Sequence, residues 1–423
     1  MVIGIVIGAG IFRVPSDVAR LVPDEGAVLL IWAAGALVAF AGAATYVALA
    51  RRAGGLGGEY LFLDLGWGRG TATLFVWARM AVIQTGAIAT VAFVAGDYAA
   101  AFLPVSPGLL ALAAVAGVSA FNLLGLALST TVQRIIVLLV VLALLLFIAA
   151  GLAVGPIPPV AAPAPAGPPS PGLALVFVML AYGGWNEAAY LSGETQDGAR
   201  GLQRGLFAGL AVVALLYLLV NLASLNALGH AGLAATPAPA ARIAEAAGGP
   251  GLAAALSAVV VLASLSTLNV TILTGARAMC ALGRDWPPFR RLGQWDEGRS
   301  VPSASLVVQG LVALALVGVG LLARDGFEAM VAFTAPVFWF FLLLVALVPF
   351  RQPMPVSVRL PALLFAVACL WMLWSSIGYA RFLAGEREIA GWLGLAGLLL
   401  VLLGVPFSWQ ASRGSGERPQ ARP

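Results

Sequence analysis

About twelve stretches of nearly uncharged apolar sequence dominate the chain and limit what it can fold into. They fall at about 1–21, 27–50, 72–102, 107–125, 131–154, 172–192, 205–228, 251–277, 302–323, 328–349, 358–382 and 389–409. A membrane-crossing helix needs about 20 predominantly apolar residues. Inside hydrocarbon every backbone N–H and C=O must be satisfied within the protein, which leaves helices or a closed β-barrel. Barrel strands alternate apolar and polar residues over about ten positions. Blocks such as Ile135–Ile148 show no alternation. The expected fold class is an all-α polytopic membrane protein with about 12 transmembrane helices.

Composition removes most other classes. The 423 residues are 61% hydrophobic and 10% charged, against about 45–50% and about 25% in soluble domains. A disordered chain would need the opposite balance. All 23 basic residues are arginine and none is lysine, so lysine Schiff-base chemistry is absent. The arginines are spread over short loops, which argues against a nucleic-acid partner. Cys280 and Cys369 lie in apolar blocks and His230 is the lone histidine. No disulfide framework, metal site or cofactor follows from these. A membrane-embedded enzyme would need clustered His, Asp, Glu or Cys at membrane depth, and the sequence lacks such a cluster.

The connections are short and rich in Gly and Pro. The block 155–171 carries Pro at eight positions and reads as an extended external connection. The rest forms one transmembrane domain over 1–409, followed by a short cytoplasmic tail, 410–423. With a cytoplasmic N-terminus, sixteen arginines lie at the inner face and five at the outer face. That bias places both termini in the cytoplasm, in an inner (plasma) membrane. The first block is too long, and lacks the basic start, to be a cleaved signal.

Two blocks are interrupted. The first reads Ile7-Gly8-Ala9-Gly10-Ile11-Phe12, then Arg13-Val14-Pro15. Glycine costs a helix interior about 1 kcal/mol relative to Ala, and Pro15 removes a donor one turn later. The sixth reads Leu180-Ala181-Tyr182-Gly183-Gly184-Trp185-Asn186-Glu187. Paired interruptions at corresponding positions of two halves mark the substrate site of inverted-repeat transporters. The repeats would span about 1–155 and about 172–349, with two further helices at about 358–409. A half-helix N-terminus presents free N–H groups and a positive dipole end to a carboxylate. The C-terminal end of the facing half-helix presents carbonyls to an ammonium. Two breaks side by side therefore hold both poles of a zwitterion without a charged side chain. Glycines packing helices closely is the alternative.

At these residues the sequence resembles the amino acid–polyamine–organocation (APC) superfamily of permeases, most closely its L-type amino acid transporter branch and bacterial relatives. Four stretches carry the resemblance: Ile7–Phe12; Gly54–Tyr60 after span 2; Tyr182–Asn186 with Glu194 downstream; and Gly275–Arg277 through Gly283–Asp285 after span 8. They cover spans 1–8, and spans 9–12 match in hydropathy only. The resemblance implies the leucine-transporter-type fold and alternating access. It implies that the substrate carboxylate meets the backbone of Gly8, Ala9 and Gly10, between Ile7 and Ile11. The amino group would lie near the carbonyls before the first break and around Leu180–Gly183, with Gly184, Trp185 and Asn186 completing the expected substrate-binding set. Leu180 stands where the L-type branch often has an aromatic gate, which moves that role to Tyr182 or Trp185. The Gly-Gly-Glu-Tyr segment resembles the first intracellular loop, which helps close the inner gate.

Two departures concern coupling and partners. Many sodium-independent members carry a Lys seven residues after a Gln in span 5; here Gln133 is followed by Val140. Ser264, Thr267 and Thr271 share roughly one face of span 8 and form a possible cation site, with helix hydrogen bonding as the competing role. The L-type branch in animals links a partner subunit through a cysteine between spans 3 and 4. Residues 103–107 contain none, so no disulfide-linked partner is expected. Arg13 and Glu187, each following a break, are a candidate gate pair, and Arg79 is placed to snorkel to the inner interface.

The resulting expectation is a secondary active transporter of amino acids, neutral ones first, working as an exchanger or proton-linked symporter. The substrate and the lipid bilayer are its partners. A sodium-coupled symporter of amino acids or other small amines is the alternative, and a non-transport membrane sensor a further one.

Overall fold

A computed structural model describes residues 7–53, 58–126, 130–158, 170–186, 198–285, 289–385 and 389–413. Among them the regular structure is helical, with one isolated β-bridge between Asp296 and Val301. Among the described residues nine helices are long and apolar enough to cross a membrane, and Pro107–Leu123 and Pro171–Ala181 are shorter apolar ones. The first expected span is described only from Ile7.

In chain order the helices are α1 (Val14–Leu21), α2 (Glu25–Arg52), α3 (Glu59–Trp67), α4 (Arg69–Ala78), α5 (Gln84–Ala99), α6 (Pro107–Leu123), α7 (Thr130–Ala153) and α8 (Pro171–Ala181). They continue as α9 (Gly198–Ala235), α10 (Pro239–Asp285), α11 (Ser303–Gly320), α12 (Gly326–Arg351), α13 (Val356–Gly385), α14 (Ile389–Leu402) and α15 (Val405–Arg413). A 3-10 segment, Ala9–Phe12, precedes α1, and a π-helical turn, Arg79–Ile83, joins α4 to α5.

Local sequence explains the ends. Asp24 caps α2, its side chain accepting from the Ala27 N–H at 2.8 Å. Glu25 opens that helix and Arg51 and Arg52 close it, so both ends complement the helix dipole. Asp325 caps α12 in the same way, from the Glu328 N–H at 3.1 Å. Gly229 interrupts α9, and Gly248 and Gly249 ahead of Pro250 interrupt α10. The twelfth block, expected at 389–409, is a membrane-length apolar span over Gly391–Gln410, with a turn at Leu403–Gly404 between α14 and α15.

Packing sorts the helices into two groups. α1, α2, α8 and α9 pack on one another, and α5, α6, α10 and α11 form a second set. α12 rests on α5 and α13, and α7 bridges α9 and α10. Leucines of α7 (Leu138, Leu142, Leu145) and large residues of α13 (Val367, Leu370, Trp374) are exposed. Apolar bands of that extent face lipid rather than water. The 3-10 segment before α1 touches α5, α8 and α10, so the first break lies where the two sets meet.

Candidate functional site

The first break follows from three residues. Gly8 is extended at φ −110° and ψ 178°. Arg13 N–H donates to the Gly10 carbonyl at 3.0 Å, and Ser16 N–H donates to the Arg13 carbonyl at 3.1 Å. Pro15 has no N–H to continue the ladder. The Phe12 carbonyl is thereby released, and the Tyr98 hydroxyl of α5 donates to it at 2.7 Å. Upstream, the N–H groups of Ala9 and Gly10 open the 3-10 segment, where a helix start leaves donors without intrahelical partners.

The second break is at the end of α8. Tyr182 N–H reaches the Val178 carbonyl at 2.9 Å and Gly183 N–H the Leu180 carbonyl at 3.2 Å. Gly184 then takes φ +93°, a left-handed conformation that a Cβ disfavours. The Ala181 carbonyl is met by the Tyr217 hydroxyl of α9 at 3.2 Å. The two breaks adjoin: a Cβ built on Gly10 would rest 3.8 Å from the Ala181 Cα. No described atom lies within 4 Å of a Cβ built on Gly8. The donor-rich start of the first half-helix thus meets the carbonyl end of α8 beside open space.

Leu180 stands apart on α8. Residues 172–179 and Ala181 are buried, yet Leu180, in the last turn, is 40% exposed. Ala9, Ile11 and Phe12 turn into the core, whereas Gly8 and Gly10 are half-buried.

The two aromatic gate candidates have other places. Tyr182 is fully buried, 5.8 Å from the Trp32 ring and 5.1 Å from the Tyr217 ring. Trp185 packs on Tyr46 at 5.1 Å and Phe365 at 5.7 Å. Gly35 and Gly42 lie two turns apart on α2; a Cβ at Gly42 would collide with the Trp185 ring, and one at Gly35 would collide with Val178 Cγ1 and press on Tyr182 Cε2 at 3.3 Å. Tyr182 and Trp185 therefore anchor the second break to α2 and do not span the opening. Asn186 points away from the break, its Nδ2 donating to Glu59 at 3.1 Å.

Glu59 is buried and also takes the Tyr46 hydroxyl at 3.3 Å and the Arg79 guanidinium at 3.6 Å. Arg79 was expected to snorkel; the π-helical turn that begins at it instead accompanies an internal ion pair. Of the other motif residues, Gly54–Gly57, Glu187 and Glu194 lie outside the described residues. The expected Arg13–Glu187 pair is therefore not seen, and the partners the structure gives Arg13 are Asp17, Asp97 and Asp325.

The three hydroxyls proposed for a cation separate. Ser264, Thr267 and Thr271 each donate to the carbonyl four residues back, at 2.8, 3.0 and 2.8 Å. Thr267, with Ser266, Ile7, Val137 and Val140, lines a small cavity of about 40 Å³. Thr271 is turned to α5, where Gln84 Nε2 donates to its carbonyl at 2.8 Å. Asn122 and Asn226 bond across helices, to Asn269 and the Gly151 carbonyl, both at 2.9 Å. Tyr98, Tyr217, Asp97, Asp325 and Ser266 were not singled out from sequence. Asp97 and Asp325 had one usable signal: both sit at span ends expected on the same face as Arg13.

Comparison with known proteins decides the family. The profile described as "Amino acid permease" matches residues 1–406. The chain belongs to this amino acid permease family. It is also similar to the b(0,+)-type amino acid transporter 1 of Mus musculus and of Homo sapiens, each 28% identical over 244 residues. Those matches cover 51% of this chain and 47% of each relative. The chain thus spans about half the length of these relatives. The Rattus norvegicus protein of the same name is 25% identical over 327 residues, covering 74% of this chain and 67% of that one. The match over 1–406 makes this permease an all-α polytopic member of the APC superfamily, carried by multiple apolar helices.

Proposed function

We propose that the chain is a secondary active transporter of amino acids, neutral ones first, working by alternating access as an exchanger or proton-linked symporter. The observation that carries this is the meeting of the two breaks beside the exposed Leu180. The N–H groups of Ala9 and Gly10, at the positive end of the segment leading into α1, receive the substrate carboxylate. The carbonyls closing α8 receive its amino group. The side chain of the substrate lies along Leu180, whose size sets how bulky it can be. The half-buried glycines Gly8 and Gly10 let the substrate approach the backbone. Family membership and the amino acid transporters among the relatives support the substrate class.

The 5+5 inverted repeat, with appended α13 and α14, fits the two breaks, one at each repeat's first span. Sixteen inner-face arginines support cytoplasmic termini in a plasma (inner) membrane. The Glu59–Asn186–Arg79 cluster joins the second break to the segment after α2 and closes the inner path. No disulfide-linked subunit is proposed, because residues 103–107 hold no cysteine and Cys280 and Cys369 are buried. The test is uptake of radiolabelled neutral amino acids into proteoliposomes, with and without unlabelled amino acid inside. Saturable uptake is expected. Stimulation from inside selects exchange, and no saturable flux for any amino acid rejects the proposal.

A second arrangement, sodium coupling, is favoured by one observation. The cavity at Ile7, Ser266 and Thr267 adjoins the first break and offers two hydroxyl oxygens where no lysine ammonium is present. Uptake that rises with external sodium at fixed pH would select it.

A further inference from the structure

The turn that joins α12 to α13 carries two arginines and no acid. Arg351 closes α12, and Arg359 lies in the first turn of α13. The Arg351 guanidinium is exposed and stands over the Trp67 ring of α3, 4.3 Å from its centroid. Gln352 Nε2 donates to the Leu65 carbonyl of α3 at 2.8 Å. The Gln352 carbonyl in turn accepts from one Nη of Arg359 at 3.3 Å and from the Met354 N–H at 2.8 Å. The turn is thereby pinned to α3, with both arginines held beside Gln352.

This arrangement lacks a negative charge. Among the described residues neither arginine has a carboxylate within ion-pair distance, and the first turn of α13 holds no acid. Arg359 also faces the positive end of its own helix dipole, where cations are disfavoured and anions favoured. Its Nε is buried and has no hydrogen-bond acceptor among the described residues, a state that native structures rarely leave unexplained.

An apolar track begins at the same place. Val356, Leu360, Leu363 and Val367 recur at i, i+4, i+7 and i+11, which is one face of a helix, and all four are exposed. Arg359 belongs to that face, three residues after Val356 and four before Leu363. The track runs about 16 Å at about 1.5 Å per residue, close to one leaflet's share of a hydrocarbon core of about 30 Å. A cationic head on an apolar strip of that length matches a phospholipid of net negative charge.

We infer that this turn binds one anionic phospholipid of the leaflet expected to face the cytoplasm, its phosphate between Arg351 and Arg359 and an acyl chain along α13. Turning the Arg359 guanidinium onto a phosphate oxygen gives Nε the acceptor it lacks. Arg351, steadied by Trp67, supplies the second planar fork, a geometry suited to phosphate. A zwitterionic headgroup brings an ammonium that both guanidiniums repel, so the site selects net negative lipids.

The test is native mass spectrometry of the full chain in neutral detergent with equal amounts of phosphatidylglycerol and phosphatidylcholine. One arginine at an anionic headgroup contributes about fivefold, so the parent should retain one phosphatidylglycerol with a preference of about 25-fold. Arg351→Gln with Arg359→Gln should bring the ratio near one. Arg290→Gln with Arg299→Gln, exposed arginines expected on the same face of the membrane, should leave it at the parent's value. If the first double variant does not fold, Arg351→Gln alone should lower the preference about fivefold. A folded variant without both arginines that keeps the parent's preference overturns the site. An equal loss in the Arg290 and Arg299 variant also overturns it, by marking a diffuse basic surface. So does displacement of the lipid by equimolar inorganic phosphate, because the α13 track would then contribute nothing. None of these readouts depends on transport.

Discussion

Three glycines have different amounts of room, and enlarging each one separates the site from its scaffold. A Cβ at Gly8 meets no described atom within 4 Å. At Gly10 the nearest atom is the Ala181 Cα, at 3.8 Å. At Gly42 the Trp185 ring occupies the space, with Cζ2 at 2.8 Å, and Phe365 Cε2 follows at 3.1 Å. Gly10→Ala therefore fits at ordinary contact distance and should keep affinity within about threefold. Gly10→Leu drives three more carbons between the two breaks. Overpacking of that kind costs about 1–3 kcal/mol, and about 1.4 kcal/mol is tenfold in affinity. Binding should weaken by roughly 5- to 150-fold while the helices stay folded. Gly42→Ala should do the opposite, lowering thermal stability through the displaced Trp185 with a smaller effect on affinity. The assay is equilibrium binding of a radiolabelled amino acid to purified protein, paired with thermal unfolding of each variant. Unchanged affinity in Gly10→Leu would refute the placement of the substrate between the breaks.

Further expectations follow from single contacts. Gly184 sits at φ +93°, so Gly184→Ala should destabilise by about 1–2 kcal/mol, read as a lower unfolding midpoint; no change would mean that the turn is not needed. Asn186→Ala and Glu59→Ala remove the two ends of one 3.1 Å hydrogen bond. A double-mutant cycle on stability should show coupling of about 0.5–3 kcal/mol, and strict additivity would contradict the contact. Leu180→Trp should raise KM for bulky amino acids more than for alanine, whereas an equal rise would place Leu180 away from the substrate side chain. If uptake proves sodium-dependent, Thr267→Val should weaken that dependence and Thr271→Val should leave it, because of these two threonines Thr267 lines the cavity and Thr271 does not.

How much of this was legible in the sequence differs by level. The membrane class and the two breaks were, because Gly8, Gly10 and Pro15 act on the backbone locally, and so do Gly183 and Gly184. What satisfies the freed carbonyls was not. Tyr98 serves Phe12 across 86 residues and Tyr217 serves Ala181 across 36, and hydropathy does not say which helices adjoin. The same holds for Arg13, whose partners on α5 and at the cap of α12 are 84 and 312 residues away. Glu187, paired with it because both follow a break, lies outside the described residues. The resemblance moves an aromatic gate to Tyr182 or Trp185, because Leu180 stands where the L-type branch often has an aromatic residue. Gly35 and Gly42 are the counter-signal: two small residues on one face of α2 mark a surface that receives large rings. Ser264, Thr267 and Thr271 share a face, but spacing alone does not show that each hydroxyl bonds its own helix or that only Thr267 reaches a cavity.

The central claim is that backbone from the two breaks holds both poles of a zwitterion. Competition binding tests it most directly: displacement of a bound radiolabelled amino acid by the same amino acid, by its methyl ester and by its des-amino acid. Loss of either pole should weaken competition by about 100-fold or more, since each forfeits charge-assisted hydrogen bonds. Gly10→Leu should flatten the differences among the three competitors. A methyl ester or des-amino acid that competes as well as the parent amino acid would contradict the account.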